Sequence, residues 1–303
     1  MQTQMQTIDW QNPQTKESGV LNISTFGGGS GLILTCEGNG SVLSLDCLKI
    51  KDLFRTAGAL LFRGFEVSEQ SFLDVVRPFS SQFLRDYGNS KTSDPSGGFV
   101  QSVTLGNKPL ELHCENAVCA ERPDIIWFYC AAPALAGGET TFCDGVEIWR
   151  LLSTGAKQLF LTRKVKYTIT VPRELYLNKD QEIVLRVGGL KFAGTTYRFN
   201  DDESLTIEYI VSAVNRTKYG AELAFANSIT GPYPSYRTTF VDDVEIPADV
   251  IQEIKQLQEQ LTKEIPWQAG DLVMLDNSRF LHGRRAFQDK QRRIFSLMSL
   301  ANF

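Results

Sequence analysis

The chain contains only two histidines, His113 and His282, among 303 residues. Any site that needs imidazole must therefore draw on one or both of them. Its six cysteines, at positions 36, 47, 114, 119, 130 and 143, form no Cys-x-x-Cys pair. That spacing gives no support to a zinc ribbon or a disulfide framework and fits reduced, mostly buried thiols. Basic residues are not in excess: 31 Lys plus Arg stand against 35 Asp plus Glu, a net charge of −4. Without a positive field to neutralise phosphates, neither a nucleic acid nor an anionic membrane is an expected partner. No apolar run approaches the roughly 20 residues needed to cross a bilayer. Residues 1–16 are polar and Gln-rich with no signal-like apolar stretch, so a cytoplasmic location is expected. Pro/Gly/Ser linkers, repeats and low-complexity tracts are also missing, apart from the polar N-terminus and the short Gly27-Gly28-Gly29-Ser30-Gly31 run. A strand-like Leu32-Ile33-Leu34-Thr35 follows that run, so it reads as a turn rather than a phosphate cradle, which would open a helix.

The hydrophobic fraction of 42% is enough for an ordinary core. The expected organisation is a single domain over residues 1–303, with a poorly ordered N-terminus at 1–16 and a variable substrate-binding insert at about 172–240. Short apolar, β-branched and aromatic segments bounded by turn formers predict strands at 59–62, 124–130, 140–143, 166–171, 271–275 and 293–298. Trp127 and Phe128 should be core. Helical spacing is read at 68–83, 146–152, 205–214 and 247–263; in the last, Val250, Ile251, Ile254, Leu257 and Leu261 form one apolar face behind Pro247. Strands throughout the chain with helices around them predict a mainly β fold with flanking helices, a double-sheet architecture.

The segment richest in chemistry is Leu110-Glu111-Leu112-His113-Cys114-Glu115-Asn116. In extended backbone His113 and Glu115 project from one side, bringing an imidazole and a carboxylate to one point. By the same alternation Cys114 points away, as a packed thiol. Fe(II) accepts a mixed N/O set, and two histidines plus one carboxylate leave positions open for other ligands. His282 lies in Trp267-Gln268-Ala269-Gly270-Asp271, continuing through Asp276-Asn277 to His282-Gly283-Arg284, with Gln291-Arg292-Arg293-Ile294 beyond.

Together these motifs resemble the Fe(II)/2-oxoglutarate-dependent dioxygenases of the taurine catabolism dioxygenase (TauD/TfdA) family, in particular its branch that modifies amino-acid-like intermediates of natural-product pathways. The resemblance runs from about Ala59 to Met298. It is carried by Leu60-Leu61-Phe62-Arg63-Gly64-Phe65, His113-x-Glu115, Gly137-Gly138-Glu139-Thr140 with Thr140 27 residues after His113, Phe199-Asn200, and the block ending in His282-Gly283-Arg284, with Arg293 11 residues after His282. It implies a double-stranded β-helix (jelly-roll) core in which His113, Glu115 and His282 bind Fe(II). It further implies that Thr140 and Arg293 hold the distal carboxylate of 2-oxoglutarate, with O₂ as the other co-substrate. A guanidinium fork with a neighbouring hydroxyl suits a carboxylate. Alternation along 293–298 sets Arg293 and Arg292 on opposite faces, and Arg293 is the expected anchor.

Two departures from the family pattern narrow the expected chemistry. Glu115 stands where Asp is commoner; related clavaminate-synthase-like enzymes also use Glu, and an intact carboxylate argues against halogenation. Leu297 stands where taurine dioxygenase has a sulfonate-gripping arginine, which argues against taurine. Asp276 and Asn277 are expected to tie down the loop before His282, and Arg284 to serve either the cofactor or the packing around it. Tyr197, Arg198 and Asn200 are candidate substrate contacts.

The activity implied is oxidation of an unactivated C–H of an amino-acid-like small molecule, free or carrier-tethered, as 2-oxoglutarate is converted to succinate and CO₂. Hydroxylation is the default outcome; desaturation, epoxidation and cyclisation differ in the fate of the substrate radical. The alternative is a catalytically silent metal-binding scaffold of the same fold. The sequence leaves the oligomeric state, homo-oligomer included, open.

Overall fold

The computed structural model describes residues 6–11, 18–85, 98–103, 106–174 and 193–303. The expectation for the N-terminus falls partly outside them; within it, Gln6–Gln11 forms a strand against Ser18–Phe26. Residues 175–192 of the expected insert also lie outside the described residues.

Two sheets face each other as a jelly roll. The major sheet runs in the order Gln6–Gln11, Ser18–Phe26, Gly31–Ser41, Ala59–Glu66, Leu272–Asp276, Ile125–Ala132, Arg293–Ala301, Ser80–Leu84, with Gln101–Ser102 also pairing with Arg293–Ala301. The minor sheet runs Lys263–Ile265, Thr140–Asp144, Phe280–Arg284, Leu110–His113. The one parallel neighbour pair of the major sheet, Gly31–Ser41 with Ala59–Glu66, is bridged by the helix Cys47–Ala57. Asp46 caps its N-terminus by accepting from the Leu48 amide, and Gly58 ends it in the left-handed region at φ 71°.

Strand alternation sorts the side chains into three apolar layers. Along Ile125–Ala132, the residues Ile125, Trp127 and Tyr129 pack outward with Phe62, Phe72, Phe79 and Leu297 beneath the helices. Ile126, Phe128 and Cys130 pack inward between the sheets with Phe142, Phe280, Ile294 and Met298. Burial on both faces explains why this strand reads as an unbroken apolar run. Behind the minor sheet, Leu281, Cys143 and Cys114 join a third layer. That layer is covered by the helices Gly145–Leu151, Thr154–Thr162 and Ala248–Leu261 and by a third sheet ordered Thr195–Phe199, Leu205–Val211, Val165–Val171, Arg237–Phe240.

Two helix expectations are corrected. Residues 205–214 are not helical: Leu205–Val211 is a strand paired on both sides, in register with Thr195–Phe199 and Val165–Val171. Thr206, Ile207, Tyr209, Ile210 and Val211 are β-branched or aromatic, and edges available on both sides let that preference outweigh a 3-to-4 apolar spacing. Helix in 68–83 is confined to Phe72–Val76 and a turn at Arg77–Phe79, followed by the strand Ser80–Leu84. Pro78 lacks the amide that would continue it. The glycine run forms a short turn, Gly27–Gly29, leading into Gly31–Ser41.

Candidate metal and co-substrate site

The antiparallel register of the minor sheet sets His282 directly opposite His113, with ring centroids 4.4 Å apart. Both are buried, at 4% and 5% exposure. The strand ends at His113, and Glu115 reaches the same point from the following turn, where Asn116 takes a φ of 54°. Glu115 Oε2 lies 3.4 Å from His282 Nε2 and 3.9 Å from His113 Nε2. One ligand atom from each of the three falls within 4.8 Å of the others.

Asn277 holds that turn. Its Oδ1 accepts from the Glu115 amide at 2.8 Å, and its Nδ2 donates to the Glu115 and Pro123 carbonyls, both at 3.0 Å. It is fully buried. The expectation that Asn277 ties down a loop therefore understates its position, because it fixes the backbone of the carboxylate itself. Asp276 does make the loop contact, accepting from the Ser278 amide and hydroxyl.

The imidazoles are suited to metal binding. His113 Nδ1 lies 2.9 Å from the Glu111 carbonyl, which requires the proton on Nδ1 and leaves the Nε2 lone pair toward Glu115. Burial, reinforced by neighbouring His282, pushes the His113 pKa down to about 4, so no proton competes for it at neutral pH. Burial opposes ionisation of Glu115, but its contact with His282 and the influence of the two neighbouring imidazoles outweigh it and keep its pKa below the ordinary value. Two imidazole nitrogens and one carboxylate oxygen form a donor set that fits Fe(II). Cys114 is absent from that set. Its sulfur lies 3.5 Å from the Phe280 carbonyl in the layer behind the sheet, and burial raises its pKa to about 11.

Along the same inner face, Arg284 pairs directly with Thr140 in the register. Thr140 Oγ1 accepts from Trp267 Nε1 at 3.1 Å, leaving its own proton to donate. Beside them is an arginine, but not the expected one. Arg293 is 58% exposed, and its Nη2 pairs with Glu69 at 3.1 Å. Arg292 is 4% exposed and donates to the Gly138 and Val103 carbonyls at 2.9 and 3.0 Å. Opposite facing of the two holds, but the faces are exchanged. Arg293 shares the parity of Phe295 and Leu297, which pack in the outer layer, and Arg292 that of Ile294 and Met298, which pack inside. With both faces of the strand apolar, its sequence does not distinguish inside from outside.

Arg292 and Arg284 lie close together, and each guanidinium is 5.1 Å from the Phe287 ring. Burial, followed by the charge of Arg284, lowers the Arg292 pKa to about 10. Gly138, at φ 70°, makes room, since a Cβ there would lie 2.9 Å from Arg292 Cδ. Two buried cations beside a free hydroxyl proton suit a carboxylate.

The remaining candidates divide. Tyr197 is partly buried on the inner side of its strand, whereas Arg198 is exposed. Asn200 Nδ2 is occupied by the Ser204 and Thr206 hydroxyls at 2.8 and 2.9 Å, fastening the hairpin. Leu297 is buried in the outer layer; neither it nor Ser296, on the inward parity, offers a cation to a sulfonate. The sequence reading missed Arg292, Trp267 and Tyr233, whose ring meets His113 edge-on at 5.8 Å. The available signals were the Arg292-Arg293 doublet and the Trp-x-x-Gly-Asp motif; nothing in the sequence singled out Tyr233.

Among curated proteins, a clavaminate synthase-like protein of Arabidopsis thaliana is 26% identical over 278 residues, covering 82% of this chain and 83% of its own. The dapdiamide synthesis protein DdaC of Enterobacter agglomerans is 22% identical, covering 80% and 82%. The crystal structure of PvcB from Pseudomonas aeruginosa superposes with a TM-score of 0.61 at 16% identity, over 98% of this chain and 91% of PvcB. A PvcB structure described as an Fe, alpha-ketoglutarate dependent oxygenase from an isonitrile synthetic pathway gives a TM-score of 0.59. The family model for taurine catabolism dioxygenases matches residues 40–298, a span that includes both histidines, the intervening carboxylate and the buried arginine pair. With that match added to the jelly roll and its three converging donors, the chain belongs to the TauD/TfdA family and is an Fe(II)/2-oxoglutarate-dependent dioxygenase.

Proposed function

We propose that this enzyme oxidises an unactivated C–H of an amino-acid-like metabolite in a natural-product pathway, with His113, Glu115 and His282 as the iron ligands. The observation that carries the reading is the convergence of one ring nitrogen from each of two buried imidazoles and one carboxylate oxygen within 4.8 Å. The pathway context is supported by DdaC, named for dapdiamide synthesis, and by PvcB, from an isonitrile synthetic pathway. A cytoplasmic setting is supported by six free cysteines. No helix among the described residues is long and apolar enough to cross a membrane.

Bound iron and 2-oxoglutarate supply the oxidising power, coupling reduction of O₂ to decarboxylation of 2-oxoglutarate to succinate. The chain supplies position. The Glu111 carbonyl fixes the His113 tautomer, and Asn277 fixes the reach of Glu115. Arg292 and Thr140 receive the distal carboxylate of 2-oxoglutarate, Arg292 replacing Arg293 in that role because only Arg292 is turned inward. Phe128, 5.3 Å from the His282 ring, and the surrounding apolar layer exclude water from the inner side.

The test is aerobic incubation with Fe(II), 2-oxoglutarate, ascorbate and free or carrier-tethered amino acids, reading succinate and substrate mass shifts of about +16 or −2 Da. Succinate formation that depends on His282 supports the assignment; wild-type output no higher than that of His282→Ala refutes it.

A further inference from the structure

The ligand strand ends at His113, and its register with Phe280–Arg284 runs no further. The peptides on either side of Cys114 lead from there to Glu115 and set the direction of its side chain. Each is planar, so holding one atom of a plane fixes much of the rest. Ser228 holds both planes. Its Oγ accepts from the Cys114 amide at 3.2 Å and donates to the Cys114 carbonyl at 2.9 Å, in buried surroundings. The second plane also contains the Glu115 amide, from which Asn277 Oδ1 accepts at 2.8 Å. That plane is gripped at its carbonyl by Ser228 and at its amide by Asn277, and rotating it would break one grip or the other.

The two grips belong to one frame. Arg122 donates to the Asn277 carbonyl and, at 3.0 Å, to the Ala226 carbonyl, two residues before Ser228. Tyr167, 1% exposed on the third-sheet strand Val165–Val171, accepts from the Ser228 amide at 3.3 Å, and Ser228 is itself 3% exposed. Three residues on, the same segment backs the other ligand, since a Cβ on Gly231 would lie 3.0 Å from His113 Cβ.

We infer that Ser228 is a positioning residue of the metal centre: its hydroxyl fixes the two peptide planes between His113 and Glu115 and thereby the geometry and metal affinity of that ligand pair. This rests on the reading of His113, Glu115 and His282 as iron ligands. The Cys114 amide also donates to the Asn227 carbonyl, and the Cys114 carbonyl also accepts from the Ala117 amide, each at 3.3 Å. Removing the Ser228 hydroxyl therefore strands neither buried group, and the full penalty of an unmade hydrogen bond does not arise. What is lost is the closer of the carbonyl contacts and the single atom that ties the two planes together.

The test is calorimetric titration of the metal-free, full-length protein with Co(II), with the visible absorption of bound Co(II) reporting ligand geometry and urea denaturation reporting stability. Groups that orient metal ligands typically change metal affinity about tenfold or more, so Ser228→Ala is expected to weaken Co(II) binding by about tenfold and to shift its absorption. Tyr167→Phe, which leaves the hydroxyl of Ser228 in place but frees its amide, is expected to weaken binding by about threefold, and it keeps the test decisive should Ser228→Ala fail to fold. Asp46→Ala is the stability control: it removes the cap of the helix Cys47–Ala57 on the outer side of the major sheet, and should lower the urea midpoint while leaving Co(II) affinity within about twofold. Unchanged Co(II) affinity in both Ser228→Ala and Tyr167→Phe, or an equal loss in Asp46→Ala, overturns the inference and leaves the metal assignment standing. A wild-type protein that binds no Co(II), or binds it no better than His282→Ala does, overturns the metal assignment and this inference with it.

Discussion

Replacing Arg292 should impair use of 2-oxoglutarate, whereas replacing Arg293 should not. Arg292 is 4% exposed, and its observed bonds go to the Gly138 and Val103 carbonyls, which do not neutralise its charge. Hydrogen bonds to charged groups contribute about 1.5–3 kcal/mol each. A two-pronged grip on a carboxylate is therefore worth about 3 kcal/mol or more, and its loss in Arg292→Ala should raise the 2-oxoglutarate requirement roughly a hundredfold. Arg293 forms an ion pair with Glu69 in which the side chains are 58% and 46% exposed. Such pairs contribute at most about 1 kcal/mol to stability, so Arg293→Ala should change the 2-oxoglutarate KM by less than about twofold. Thr140→Val, which loses one donor, should fall between them at about fivefold. The assay is a 2-oxoglutarate titration of succinate formation at saturating iron, with thermal melting as the folding control. Because Arg292 also supports two backbone carbonyls, Arg292→Lys serves as a second variant: it keeps the charge, loses the fork and should still raise KM by more than tenfold or so. Equal effects at 292 and 293, or a larger effect at 293, would refute the inward assignment.

Three further outcomes follow from the packing. Asn277→Ala strands the Glu115 amide and two buried carbonyls; it should cost about 2–4 kcal/mol of stability in chemical denaturation and weaken iron binding by about tenfold or more. Asp271 is 1% exposed and grips Arg63 with both oxygens, at 3.0 and 2.6 Å; Asp271→Ala should cost about 3 kcal/mol and lower Tm by several degrees. Cys114→Ala should retain turnover within about threefold at a cost of about 1–2 kcal/mol, and the native thiol, with its pKa raised to about 11, should label far more slowly with iodoacetamide than a free thiol at pH 7.5 or so.

The candidate metal site was legible in the sequence because histidine is scarce and the motifs are local. With two imidazoles in the chain, a His113-x-Glu115 segment and a distant His282 block left few alternatives, and one antiparallel register brings them together. The fold class was legible for a similar reason, since 125–132, 272–276 and 293–301 are short apolar segments, the first of them dense in β-branched and aromatic residues. What escaped the sequence depends on which neighbours a segment finds. Leu205–Val211 carries apolar residues compatible with either period, and strands on both sides of it decide the outcome. Arg292 and Arg293 differ only in facing, and a strand buried on both sides gives no polar face to orient by.

The central claim is that His113, Glu115 and His282 hold iron in a site that also takes 2-oxoglutarate. It is tested most directly by anaerobic titration of the metal-free protein with Fe(II) and 2-oxoglutarate while visible absorption is recorded. A weak charge-transfer band that saturates at one iron per chain, and is lost in His113→Ala and His282→Ala but kept in Cys114→Ala, is the predicted result. A folded wild-type protein that gives no band, or a band that survives in either histidine variant, would contradict it.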